Sequence, residues 1–238
     1  MNLFPIVEIL HVDEHIFVVA KPPGLLAQPD HTGDADVLTL GKRRIEEMGQ
    51  EDPFLGLVHR LDRPTSGIMV LARTPDAARI LSRQFRERTA QKQYLALVEG
   101  ELRGIGTWTD YIAKLGRRPT LVPPDHSEGK RAELDWQALA STGKQTLLLM
   151  QLHTGRPHQI RLQGGDRGHP VVGDTRYGAP SALGEGDIAL HHAILRFEHP
   201  AHQRMNTFIA EVPSRFASCL TASMRKAIER IFDRAQIE

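Results

Sequence analysis

One cysteine, Cys219, is all the thiol the 238 residues hold. No intramolecular disulfide can form, zinc sites built from several thiolates are excluded, and a reducing compartment is the natural setting. Charge of one sign is also missing, for the formal net charge is +1 at pH 7. A strongly basic balance would point to nucleic acid directly, so any such reading must rest on where the arginines sit. No apolar run approaches the ~20 residues of a transmembrane helix, which leaves no membrane partner to expect. The opening stretch MNLFPIVEILHVDEH lacks a basic leader and carries Glu8, Asp13 and Glu14 among its apolar residues, unlike a secretion signal. A cytoplasmic location is the expectation by elimination. The twelve histidines invite a metal, yet none stands in a His-Glu-x-x-His pattern or beside thiolates, and no metal is expected.

What is present is ordinary globular material, 40% hydrophobic and 25% charged. The length suits a single domain over residues 1–238 with one main core. Apolar runs on both sides of HVDEH predict a hairpin leading into the turn Lys21–Gly24. A short basic helix is expected around residues 38–48. FLGLVHRLD reads as a strand that turns Arg60 and Asp62 to one face, and IMVLA at 68–72 as a strand buried on both faces. Thr74 as N-cap with Pro75 at the first position marks the clearest helix start, with Arg79, Arg83 and Arg86 on its outer surface. KQYLALVEG predicts another buried strand. Residues 104–124 hold too many glycines and prolines for a long regular element. RAELDWQAL and TLLLMQL form a second hairpin, and Pro157 suits the first position of a short helix. A terminal helix repeats Leu220, Met224, Ile228 and Phe232. Strands paired as hairpins with irregularly placed helices predict an α+β fold whose mixed sheet is largely antiparallel, with flanking helices.

The stretch HRLDRPTSG, residues 59–67, sets Asp62 between two arginines and closes in a small-residue turn. An aspartate there is equally a cap for turn amides and a reagent. HRLDRPTSGIMVLA resembles the signature of the RluA-type RNA pseudouridine synthases. Six further stretches resemble blocks of that family in the same order: VVAKPPGLLAQP, KQYLALVEG, GKRAELDW, LHTGRPHQIRL, GHPVVGDTRYG and LHHAILRFEHP. Together they cover residues 7 to 213 or so.

The resemblance implies the pseudouridine synthase catalytic fold and an isomerase that needs no cofactor. Asp62 would attack either the ribose C1′ or the base C6 of a target uridine, and the base would be detached, rotated and rejoined through carbon. Arg161 would face that aspartate and favour its ionised form. Tyr94 would pack on the uracil ring and act in removal of the C5 proton. Arg60 resembles the arginine that fills the gap left by the extruded base, with a structural salt bridge as the equal alternative. Ile160 and Leu162 would anchor the arginine segment and line the pocket; Lys21, Thr65 and Ser66 would support the frame; Gly67 would serve the backbone.

Two departures stand out. Gln163, Gly164, Gly165, Asp166 and Arg167 replace the usual apolar continuation after the arginine, so that helix is expected to be cut short. The S4-type RNA-binding domain of many relatives is not expected ahead of the first block. RNA, ribosomal or transfer, would then be held by the catalytic domain itself, with no obligatory protein partner evident. Candidate contacts are Arg79, Arg83, Arg86, Arg88 and Lys92, with Lys114, Arg117, Arg118, Lys130 and Arg131, and for each a solvated basic face is the alternative. Competing readings are a non-catalytic RNA-binding protein of the same fold and a carboxylate-dependent nucleoside or glycoside hydrolase. The latter lacks a clear second acid.

Overall fold

One aspartate closes the first hairpin. β1 (Glu8–Val12) and β2 (Ile16–Lys21) run antiparallel with a bulge between Ile9 and His11. Between them Asp13 Oδ1 accepts the backbone N–H groups of His15 and Ile16 at 2.8 and 2.9 Å. The computed structural model describes residues 7–116, 118–184 and 186–237. They divide into two units, Met1–Ala90 with His192–Pro213, and Gln91–His191 with Ser214–Glu238.

In the first unit β2 pairs with β4 (Ser66–Ala72), the short β3 (Gly56–Leu57) also pairs with β4, and β10 (Leu190–Glu198) lies beside β4 and carries β11 (Met205–Ile209). Every residue of β4 is buried, as its continuous apolar run predicts. α2 (Pro75–Glu87) starts as expected, the Thr74 hydroxyl accepting the Ala77 N–H at 3.1 Å. Its Ala77 and Leu81 join Val18, Ile68, Val70, Leu195 and Phe197 in the core of this unit. Gln84 on the same face is buried too, and exchanges two hydrogen bonds with the backbone of Glu198 at 2.7 and 2.9 Å. α1 (Val37–Glu47) accommodates Gly41 because a Cβ there would come within 2.8 Å of the Leu55 side chain. Close packing thus accounts for a residue that weakens an isolated helix.

The second unit is an antiparallel sheet in the order β5 (Gln91–Glu99), β9 (Gln145–Leu152), β8 (Lys130–Ser141), β6 (Ile105–Leu115), β7 (Arg118–Val122). The irregular segment expected over 104–124 is therefore two strands. Thr107, Trp108, Thr109, Tyr111 and Ile112 supply β-branched and aromatic residues that outweigh the glycines. Pro119 fits because β7 is an outer strand that needs no donor on its far side. α3 (Gln159–Asp166) follows the second hairpin, and α4 (Ser214–Ser218) and α5 (Ala222–Ile237) end the chain. α3 runs through both glycines and ends at Asp166, within the stretch where it was expected to stop. A Cβ on Gly164 would sit 2.7 Å from the His169 carbonyl oxygen, and one on Gly165 2.5 Å from that of Tyr177. The glycines let the helix lie against backbone. Pro157 stands one residue ahead of the cap His158 rather than at the first helical position. The architecture is α+β with a largely antiparallel sheet.

Candidate active site

The HRLD segment is a loop, not the strand its alternation suggested: β3 ends at Leu57. The cause is His59. Leu57 still pairs with Leu71 of β4, but the next β4 donor, the Val70 N–H, goes to His59 Nε2 at 3.0 Å. A side chain takes over where a strand would continue, so residues 60–65 leave the ladder. The His59 ring also stacks on Phe85 of α2, centroids 4.4 Å apart. Arg60 is exposed and Asp62 half-buried.

The far side of this loop is equally fixed. The Thr65 N–H donates to the Asp62 carbonyl at 3.0 Å, closing the turn. The Arg63 carbonyl receives the Gly24 N–H at 2.9 Å and Lys21 Nζ at 3.0 Å. Lys21 is 1% exposed and also donates to the carbonyls of Pro22 and Leu25. Its role as a frame residue is thus electrostatic as well as steric, since a buried ammonium requires such acceptors. Arg63 adds its own Nε to Gly24 O at 3.0 Å and a salt bridge to Asp34 at 2.7 Å. Thr65 and Ser66 are buried. Gly67 has φ +114, and a Cβ there would meet the His192 carbonyl oxygen at 2.3 Å, so only glycine lets β4 approach β10. His192 in turn bonds through Nδ1 to the Ile68 carbonyl at 2.7 Å.

Tyr94 and Arg161 belong to the second unit. Tyr94 lies on β5 opposite Met150 and is 7% exposed. Arg161, in the first turn of α3, is buried and held bidentately by Asp174: Nε to Oδ2 at 2.6 Å and Nη2 to Oδ1 at 3.0 Å. Its Nη1 is 3.3 Å from His158 Nδ1, which also bonds the Tyr177 hydroxyl at 2.7 Å, and its guanidinium lies 5.0 Å from the Tyr177 ring centre. The guanidinium plane is thereby fixed on two sides. Leu162 packs on Ile112 and Ala132, and Ile160 is buried, so both anchor the helix.

Residues 15–164 match the family model described as RNA pseudouridylate synthase, well over half of the chain. The chain belongs to that family. Among curated relatives, the dual-specificity RNA pseudouridine synthase RluA of Salmonella typhi is 37% identical over 217 residues, 89% of this chain and 95% of that one. The ribosomal large subunit pseudouridine synthase D of Xylella fastidiosa is 33% identical over 240 residues, 95% of this chain and 72% of that one. Among solved structures, human RNA pseudouridylate synthase domain containing 4 superposes with a TM-score of 0.77 at 26% identity, covering 92% and 93% of the two chains. RNA pseudouridine synthases are isomerases, and this chain is an enzyme of that class. No helix of the described residues is long and apolar enough to cross a membrane.

Three residues of this pseudouridine synthase that hold Arg161 in place carry no role in the sequence alone. Asp174 stands in the quoted block GHPVVGDTRYG, yet nothing in one sequence says which cation a buried aspartate meets. Tyr177 from the same block and His158 complete its arrangement. Among the candidate RNA contacts, Arg79, Arg83, Arg86, Arg88, Lys114, Arg118, Lys130 and Arg131 are exposed. Lys92 is not: it is 7% exposed on β5, because its strand is covered, and it is withdrawn from that set. Arg117 lies outside the described residues.

Proposed function

We propose that the chain isomerises uridine to pseudouridine at specific sites of structured RNA, ribosomal or transfer, with Asp62 as the nucleophile. The observation that carries this is the HRLD loop itself. A half-buried carboxylate on a loop tied at His59, Thr65 and Arg63 is held in position before substrate arrives, which is what an attacking group requires. Attack at C1′ or at C6 leads to the same balance. The N1–C1′ bond breaks, a C5–C1′ bond forms, C5 gives up its proton and N1 gains one.

Arg161 is the proposed partner of the negative charge in this reaction, and its fixation by Asp174 and His158 supports that role, because an oriented guanidinium loses little freedom on binding an anion. Tyr94 is proposed to pack on the uracil ring. Arg60, exposed, is proposed to enter the RNA stack when the target base leaves it. Lys21 and Thr65 support the loop, and Ile160 and Leu162 form the apolar surround.

The test is RNA tritiated at uracil C5, taken from cells lacking this enzyme and split into ribosomal and transfer fractions. The wild type releases tritium from one fraction or both, and Asp62→Asn, which keeps size and polarity, releases none while folding normally. Equal release by both proteins would remove Asp62 from the chemistry. RNA binding with no release from any RNA would make this a binding protein.

A further inference from the structure

On the β6–β7 side of the second unit, Lys114, Lys130 and Arg156 surround a cavity of about 390 Å³ whose apolar wall includes Ile112 and Pro157 and whose one carboxylate among the described residues is Glu128. The volume lies in the range of small-ligand sites, ~300–1,000 Å³. Strand register fixes which face of the sheet it occupies. Tyr94 is opposite Met150, Met150 opposite Trp136, and Trp136 opposite Gly106. With side chains alternating along β6, Trp108, Asp110, Ile112 and Lys114 share the face of Tyr94. From Gly106 to Lys114 the strand covers roughly 26 Å at ~3.3 Å per residue.

We propose that this cavity takes a nucleotide of the same RNA several positions from the target uridine, its phosphate between Lys114 and Lys130 and its base against the apolar wall. Lys130 is the register partner of Ile112, and Lys114 stands two residues along β6, so the two exposed lysines are diagonal neighbours on one face. Like charges so placed repel, and an anion between them removes the repulsion. Arg156 is oriented by its Nε, which donates to the Arg131 carbonyl at 3.0 Å. Three cations against Glu128 leave the cavity electropositive, while its apolar wall distinguishes it from a plain solvated patch. The uridine being isomerised is not the occupant, because the cavity lies at the opposite end of the face from Tyr94.

This assignment rests on the proposal that the chain acts on RNA. Filter binding of transfer and ribosomal RNA fractions to Lys114→Gln/Lys130→Gln tests it at 50 and 200 mM KCl, beside Lys226→Gln/Arg230→Gln, which removes two exposed charges from α5. Two lost phosphate contacts flatten the log–log salt slope by about 1.4. The advantage of the wild type over the cavity variant should then grow about sevenfold from 200 to 50 mM, and the α5 variant should follow the wild type. Equal slopes in all three proteins, or equal losses in both variants, would overturn the cavity site while tritium release by the wild type leaves the isomerase reading intact. A wild type that binds neither fraction and releases no tritium would overturn both.

Discussion

Replacing Asp174 by alanine leaves a buried guanidinium without its carboxylate. The side chains of Arg161 and Asp174 are 6% and 2% exposed and meet through two hydrogen bonds at 2.6 and 3.0 Å. Removing one member of such a pair costs ~3–5 kcal/mol, because the survivor stays out of water and has lost a bidentate carboxylate. The contacts Arg161 keeps include His158 Nδ1 at 3.3 Å and the Tyr177 ring at 5.0 Å, which soften the loss. The lower end, about 3 kcal/mol, is expected, or roughly 6–12 °C in Tm for a chain of this size. Urea unfolding followed by tryptophan fluorescence is well placed to read it. Both tryptophans, Trp108 and Trp136, lie in the unit that contains the pair. Pairing Asp174→Leu with Arg161→Met should recover most of the stability, since an apolar pair of similar volume carries no desolvation penalty. A double variant whose loss is the sum of the single losses would refute the reasoning.

His59→Ala should destabilise the first unit by ~1–3 kcal/mol, the cost of a stranded Val70 N–H. Hydrogen exchange at that amide should accelerate with it, and an unchanged Val70 exchange rate would show that the ring is not its acceptor. Stability should also fall in two stages on acidification. Burial holds His199 below its ordinary 6.5 against the opposing pull of Asp13, so the unfolded chain takes the proton first. That contribution is complete above pH ~6.5 and declines below it. Burial pushes Asp13 up, but hydrogen bonds from His11, the His15 and Ile16 N–H groups and His199 overcome this and hold it well below 3.8, so its contribution is lost only below pH ~4. The gap in urea midpoint between wild type and His199→Gln should narrow from pH 7 to 5; a gap that stays constant would contradict the sign.

Legibility followed the reach of each cause along the chain. The α2 cap, the buried β4 run and both hairpins depend on neighbours in sequence and were readable from it. Long-range partners set the rest. His59 reads as one more residue of an alternating strand until the Val70 N–H it accepts is known. Gly164 and Gly165 read as helix breakers until the carbonyls of His169 and Tyr177 are found beneath them. Lys92 reads as a surface cation because a single strand does not reveal what covers it. The identity of Asp62 and Arg161 as candidates came from ordered motifs, whereas the carboxylate that grips Arg161 lies 13 residues away and is visible only in three dimensions.

The two strands at the ends of the sheet's path, β1 and β7, have a bearing on how the molecule behaves in a crowded solution. An outer strand with a straight, open ladder offers its backbone groups to any passing chain and seeds aggregation. β7 carries Pro119, which has no N–H to offer, next to the charge of Arg118. β1 is broken by the bulge between Ile9 and His11, which disturbs the spacing a newcomer would have to match. Neither presents a flat edge on which a second copy could lengthen the sheet.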